Sequence, residues 1–154
     1  MQEVNKNTEQ LSGLIDIYAV PTINIKKIEN KVVSCYNQDN VFRFMATMES
    51  ISHQQNMEQT KPGQLHKPKI SFYIPGQTLT NDKILNKMKI YKYVVVVRDQ
   101  QGNYYIIGNK DENLNLEYDY ANSANYSGSK GYNIDFSGEL TEGMKPVNYP
   151  FTFI

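Results

Sequence analysis

The chain has 154 residues, of which 40% are apolar, 12% aromatic and 21% charged, and its 16 basic side chains balance 16 acidic ones. A formal net charge of zero disfavours a basic nucleic-acid binder. A mean hydropathy of -0.58, with no apolar run near the roughly 20 residues of a spanning helix, argues against a helical membrane protein. The single cysteine, Cys35, rules out an internal disulfide framework and a multi-cysteine zinc site.

The beginning of the chain predicts a polar arm followed by short strands. Residues 1–12 are polar and show no periodicity, so we expect a flexible N-terminal arm. Residues 13–28 indicate β-structure that is bent at Pro21, which removes one donor from the ladder. Another short strand is predicted over 32–36, where Cys35 is expected to be a small buried residue rather than a reactive thiol.

A strand, a long polar stretch and a second strand follow. Phe42 and Phe44 alternate with more polar residues, which predicts a strand with one wet face over 41–50. Residues 51–67 are polar and contain Pro and Gly near their end, so we expect a long loop that is mobile or functional. Alternation resumes over 69–74 and predicts another strand.

One segment has a persuasive helical pattern, at about residues 80–90, where Thr80 or Asn81 can serve as the N-cap. The apolar side of this helix is formed by Ile84, Leu85 and Met88. Because the helix is short, we expect it to lie on a sheet.

The strongest local pattern is a β-hairpin. Residues 92–98 and 103–107 are β-rich runs joined by a turn, in which Gly102 supplies the positive φ that such connections need. The apolar run Val94–Val97 in the first of these strands is expected to be buried.

The last part of the chain predicts two more strands and a tail. Alternation over 114–120 indicates a half-exposed strand. Glu117 and Asp119 are interpreted as the solvent face of this strand rather than as ligands of a calcium ion. A loop is predicted over 121–130, a strand over 131–138 and an extended C-terminal tail over 144–154.

Together these elements predict a mainly β protein. About eight strands, one helix and hairpin turns favour an antiparallel β-sandwich or barrel with one short helix packed on it. A single β domain is expected over residues 13–143, between the N-terminal arm and the C-terminal tail.

The sequence offers no constellation of residues for catalysis. His53 and His66 lie in the predicted loop, with no second cysteine and no HExxH motif, so solvated loop histidines are expected rather than zinc ligands. GxSxG, GxGxxG and P-loop patterns are all missing. We therefore assign no catalytic, cofactor-binding or metal-ligating residue, and we expect no enzyme activity and no cofactor.

Charge is uneven along the chain although it sums to zero. Residues 81–110 carry six basic and two acidic side chains, and residues 111–154 carry two basic and seven acidic ones, which gives +4 beside -5. These charges either pair within the subunit or form the opposite surfaces of a head-to-tail contact that closes into a ring.

Two segments of the second half carry a family resemblance, YVVVVRDQQGNYYIIGNKDENLNLEYDYANS at 93–123 and GYNIDFSGE at 131–139. They resemble small virion structural proteins of tailed phages and prophages of Bacteroidetes, crAss-like phages included. The residues that fit the family's hairpin, Tyr-Asp pair and final strand are Val97, Asp99, Gly102, Ile107, Gly108, Tyr118, Asp119, Gly131, Tyr132, Phe136, Gly138 and Glu139. The first half fits more loosely, and the loop at 121–130 and the tail at 144–154 depart from the family's pattern.

The resemblance implies a tail-tube-like or neck/connector ring protein without enzymatic activity. Its partners would be further copies of itself in a homo-oligomeric ring, other virion tail or neck proteins, and DNA that passes through the channel without sequence-specific binding. The resemblance implies no membrane partner, and it implies a location in the virion, in the tail or neck, after assembly in the bacterial host cytoplasm.

Within this interpretation, residues 54–61 belong to an intersubunit hairpin. Candidate interface aromatics are Tyr104, Tyr118 and Tyr126, although each can equally be a partly covered residue of its own sheet.

Two other classes of function stay open at this point. A monomeric glycan-binding or adhesion-type β-sandwich module would use exposed Tyr side chains as sugar platforms, but the lack of Trp and of a signal peptide disfavours it. An intracellular enzyme is less favoured still, because no acid, base, nucleophile or metal set converges in the sequence.

Overall fold

The structure, a computed structural model, describes residues 14–44, 52–60, 63–75, 79–122 and 130–153. Within these ranges it contains one α-helix, α1 (Leu79–Met88), and short 3-10 turns at Thr22–Asn24 and Gln38–Asn40. The strands are β1 (Leu14–Pro21), β2 (Ile25–Glu29), β3 (Val32–Cys35), β4 (Phe42–Phe44), β5 (Ser52–Thr60), β6 (Gly63–Pro75), β7 (Tyr93–Asp99), β8 (Tyr104–Ile107), β9 (Asn115–Asn122), β10 (Lys130–Ser137), β11 (Lys145–Val147) and β12 (Thr152–Phe153).

The described strands form three sheets. A five-stranded sheet has the order β11-β8-β7-β1-β4, a four-stranded sheet has the order β5-β6-β10-β9, and a three-stranded sheet has the order β12-β3-β2. The paired strands are antiparallel, except that β12 runs parallel to β3. The predicted mainly β, antiparallel fold with a short helix is confirmed, and the sheets of the described residues are open rather than closed into a barrel.

The five-stranded sheet contributes one face to each of two hydrophobic cores. The first core joins this sheet to the four-stranded sheet and to α1, through residues that include Ile17, Val95, Val97, Ile134, Phe136, Leu85 and Met88. Burial of Leu85 and Met88 confirms the predicted apolar side of the helix, whereas Ile84 remains 40% exposed.

The second core lies on the opposite face and joins the central sheet to the three-stranded sheet, through residues that include Tyr18, Val94, Val96, Ile106, Val33 and Cys35. Because both faces of the central sheet are covered, Val94–Val97 is buried at every position, as the unbroken apolar run predicts. Cys35 has no exposed surface, which confirms its prediction as a core residue.

The predicted hairpin is confirmed. Strands β7 and β8 pair antiparallel, and Gly102 in their turn has a φ of 85°. Asp99 closes the turn, because its Oδ1 accepts hydrogen bonds from the backbone N–H groups of Gln101 and Asn103, both at 2.9 Å.

Helix α1 is confirmed with a shifted start. It begins at Leu79, so Thr80 and Asn81 lie in its first turn and the prediction that one of them is the N-cap is wrong. At the other end, the buried hydroxyl of Tyr93 donates a hydrogen bond of 2.7 Å to the carbonyl of Met88. This bond supplies a partner to a carbonyl of the last helical turn, where intrahelical donors run out.

The predicted loop at 51–67 is wrong over the residues that the structure describes. Residues 52–60 form β5 and residues 63–67 begin β6, and the two strands pair from Ser52 opposite Ser71 to Thr60 opposite Gly63. A polar two-stranded ladder is held together by backbone hydrogen bonds, so the sequence shows no apolar alternation that would reveal it.

The C-terminal segment adds a strand to each of two sheets. Residues 145–147 form β11 at one edge of the central sheet, and β12 extends the three-stranded sheet. Val147 and Phe151 are buried in the second core. The predicted arm at 1–12 and residues 123–129 of the predicted loop lie outside the described residues.

Candidate assembly surfaces and aromatic groove

The residues that could carry chemistry are dispersed. His53 lies on β5 opposite Ile70, and His66 lies on β6 opposite Met57, so both histidines are in strands and the prediction of loop histidines is wrong about their location. Burial raises the pKa of the Cys35 thiol to about 11, which keeps it protonated near neutral pH. In the part of the chain that the structure describes, no group of three or more His, Cys, Asp or Glu side chains could hold a metal ion.

The most prominent feature of the four-stranded sheet is a two-stranded arm, formed by residues 55–60 of β5 and 63–68 of β6. Residues 69–75 of β6 pair with β10, whereas 63–68 pair with β5 and project beyond the sheet. Six residues per strand give the arm a length of roughly 20 Å. Residues 54–60 therefore lie in a hairpin, and the predicted contact of residues 54–61 with another subunit stays a prediction.

A backbone bridge tethers the arm to the segment that follows β10. The backbone N–H of His66 donates to the carbonyl of Leu140 at 2.7 Å, and the N–H of Leu140 donates back at 2.8 Å. Met57, which lies opposite His66 at this bridge, is 53% exposed, and Gly63 and Gln64 beyond it are exposed as well. A two-stranded ribbon of this kind has little stability of its own in water, so its tip is suited to packing against another molecule.

The charge on the outer face of the same sheet changes from positive on one side to negative on the other. Ser71, Asp135 and Glu117 lie opposite each other on β6, β10 and β9, which places them on one face. Strand alternation puts Lys67 and Lys69 on that face of β6, while Asp119 joins Glu117 on the edge strand β9. Glu117 and Asp119 are exposed, which confirms the predicted solvent face of this strand.

The ion pairs of the described residues bear on the two oppositely charged segments of the chain. Among the described residues, no ion pair joins the basic segment 81–110 to the acidic segment 111–154. Lys145 pairs with Glu142 inside the acidic segment at 2.6 Å, and Arg98 pairs with Asp16, which lies outside both segments.

A carboxylate and two guanidinium groups cross-link the central sheet. Asp16, whose side chain is 7% exposed, accepts from Arg43 at 3.0 Å and from Arg98 at 2.9 Å. The hydrogen bond to Asp16 raises the pKa of Arg43, whose guanidinium also lies 5.7 Å from the centre of the Tyr18 ring. The three charged residues belong to β1, β4 and β7, so this cluster ties three neighbouring strands together. We did not predict it, although one carboxylate inside the apolar run of β1 is a signal that a cationic partner is required.

An open groove lies beside this cluster, between the β7–β8 turn, β11 and the β2–β3 turn. It has a volume of about 580 Å³, and its lining includes Lys31, Asn103, Tyr104, Tyr105, Asn148 and Tyr149. The Tyr104 and Tyr149 rings are stacked, with centroids 4.6 Å apart and planes 10° apart. Tyr18 and Phe151 pack against Tyr149 from the second core, at 5.2 and 5.4 Å.

The three candidate interface tyrosines have different surroundings. Tyr104 forms part of the groove, and Tyr118 is half-buried with the Lys89 ammonium 5.4 Å from its ring centre. Tyr126 lies outside the described residues.

Comparisons of this chain with protein-family models, with curated proteins and with solved structures found no match. No helix in the described ranges combines the length and the apolar character needed to cross a membrane.

Proposed function

We propose that this protein is a non-enzymatic structural subunit of a tailed-phage virion, which forms a ring in the tail or neck around the DNA conduit. The observation that supports this function most directly is the four-stranded sheet, which has a projecting arm beside one edge and an acidic strand at the other. Open sheet edges of this kind are sites at which another chain can add a strand.

The two edges suit a head-to-tail contact better than a two-fold one. In a two-fold contact the same surface meets itself, so the acidic strand β9 would face another acidic strand. In a head-to-tail contact, Glu117 and Asp119 of one copy meet the lysine-bearing side of the next, and repetition of this contact closes a ring. The partners are then further copies of the chain and the virion proteins above and below the ring.

The zero net charge is compatible with a conduit. A wall that neutralised many phosphates would hold DNA tightly, whereas a wall without a strong positive field lets it slide. The resemblance of the segments at 93–123 and 131–139 to phage virion proteins adds support, since they include the hairpin β7–β8 and strands β9 and β10. The proposed location is the virion, after assembly in the bacterial host cytoplasm.

The arm provides the test. A variant without residues 58–60 and 63–65 loses three complete rungs of the ladder but keeps the bridge at His66. We expect the parent protein to sediment as a closed ring with a mass that is a multiple of 17.8 kDa, and the variant to sediment as a folded monomer with unchanged far-ultraviolet circular dichroism. Gln64→Ala, which keeps the arm at full length, is the matched control and should still form rings.

One result would contradict the proposed ring, and another would contradict the role of the arm in it. The first is a parent protein that stays monomeric at every concentration reached, including in the presence of purified tail or neck proteins. The second is a ring of unchanged size from the shortened variant. This result would show that the arm is not part of the interface between subunits.

A further inference from the structure

The groove beside the Asp16 cluster has the features of a binding site, and we propose that it binds a neutral carbohydrate, as a short oligosaccharide. This site does not depend on ring formation, because it lies on the central sheet and the arm belongs to the four-stranded sheet. Its volume of about 580 Å³ falls within the range of roughly 300–1,000 Å³ that is typical of small-ligand sites.

The floor of the groove is a fixed aromatic platform. Tyr149 is 43% exposed, although it is stacked on Tyr104 and packed against the buried rings of Tyr18 and Phe151. An exposed aromatic ring that is already held in place loses little conformational freedom when a ligand covers it.

Polar side chains stand around this platform. The side chains of Asn103, Asn148 and Lys31 are exposed and make no hydrogen bond to another described residue. Their backbones are fixed, since the N–H of Asn148 donates to the carbonyl of Lys31 at 2.7 Å and the N–H of Asn103 donates to Asp99 at 2.9 Å. The groove therefore offers amide donors, amide acceptors and an ammonium group from anchored positions.

This combination matches the chemistry of a sugar ring. A pyranose has a face of C–H groups that packs on an aromatic ring and a rim of hydroxyl groups that both donate and accept hydrogen bonds. A proline-rich peptide needs slots between separated aromatic rings, whereas Tyr104 and Tyr149 are in contact with each other. A polyanion needs several cations, and Lys31 is the one charged residue in the groove's described lining.

The test is a titration of the full chain with three neutral probes, cellohexaose, maltohexaose and chitotetraose, followed by NMR. We expect at least one probe, at up to about 10 mM, to shift the resonances of Tyr104 and Tyr149 in a saturable manner. Tyr149→Ala should weaken this binding by about tenfold or more, and Asn103→Ala by a few fold. The matched control is Tyr36→Ala, since Tyr36 is 55% exposed and does not line the groove.

Asn103→Ala tests the site even if Tyr149→Ala does not fold, because Asn103 is exposed and the loss of its side chain leaves the aromatic packing intact. The proposal is overturned if none of the probes shifts the groove resonances, or if Tyr149→Ala and Asn103→Ala bind as well as the parent. The sedimentation of each variant shows separately whether ring formation is affected.

Discussion

Asp16 shows how one polar residue can organise a sheet. Its carboxylate is almost fully buried, and such a group is costly unless charged partners surround it. Arg43 and Arg98 supply those partners from the strands on either side of β1. Register determines this arrangement, because Asp16 lies opposite Arg98, and Tyr18, two residues further along the same face, lies opposite Arg43.

Cys35 gives a pH-dependent prediction at the same scale. Burial raises its pKa from 9.0 to about 11, so between these values the thiol ionises in the unfolded chain but not in the folded protein. Its contribution to the free energy of unfolding is therefore complete below about pH 9 and is lost as the pH rises towards 11.

Urea denaturation of the parent and of Cys35→Ala across this pH range measures the effect. We expect the parent to lose stability more steeply than the variant between pH 9 and about 11. Equal slopes would mean that the thiol does not carry the effect. In the folded parent, the thiol should also react slowly with a disulfide reagent, since only about one in a thousand is a thiolate at pH 8.

Among the elements, β10 is constrained by a close approach at Gly131. A Cβ at this position would lie 2.4 Å from the carbonyl oxygen of Ile74 and 2.5 Å from the hydroxyl of Tyr73. Both contacts involve the neighbouring strand β6, so a side chain here must push two paired strands apart.

We therefore expect Gly131→Ala to destabilise the protein by about 1–3 kcal/mol, measured by urea denaturation. Ser137→Ala on the same strand is the matched control and should change stability by less than about 0.5 kcal/mol. A Gly131→Ala protein as stable as the parent would show that the strands separate more easily than their pairing indicates.

The hairpins of this chain show which elements a pattern can predict. The β7–β8 hairpin was predicted because apolar strands flank a turn with Asp99 and Gly102, and each residue has a defined conformational role. Alternation did not reveal the pairing of β5 with β6, and residues 51–67 were expected to be a loop, because the arm is polar on both faces and its register depends on backbone pairing. A polar sequence without alternation is compatible with a solvated loop and with a solvated two-stranded arm.

For the whole molecule, the charge pattern predicts how the proposed ring responds to substitution. Glu117→Lys combined with Asp119→Lys reverses the acidic edge and should prevent ring formation, because two basic surfaces would then meet. The matched control, Asp111→Lys with Glu139→Lys, makes the same change in net charge outside the strands. Sedimentation of both variants at low salt measures the difference, and raising the salt should weaken the parent ring.

Equal assembly of the two double variants would show that β9 is not at the contact. A parent ring that is unaffected by salt would show instead that the contact is mainly apolar, since screening acts on exposed charges.

The sequence by itself determined the mainly β class, the helix α1, the β7–β8 hairpin and the burial of Cys35 and of Val94–Val97. These features depend on local alternation, turn residues and apolar runs, which neighbouring residues express directly. The tertiary structure decided which strands are central, how the arm of residues 55–60 and 63–68 projects from its sheet, and which side chains form the groove. Those features bring together residues as distant as Lys31 and Tyr149, and pairing over such separations depends on register and packing of whole sheets, which no local pattern specifies.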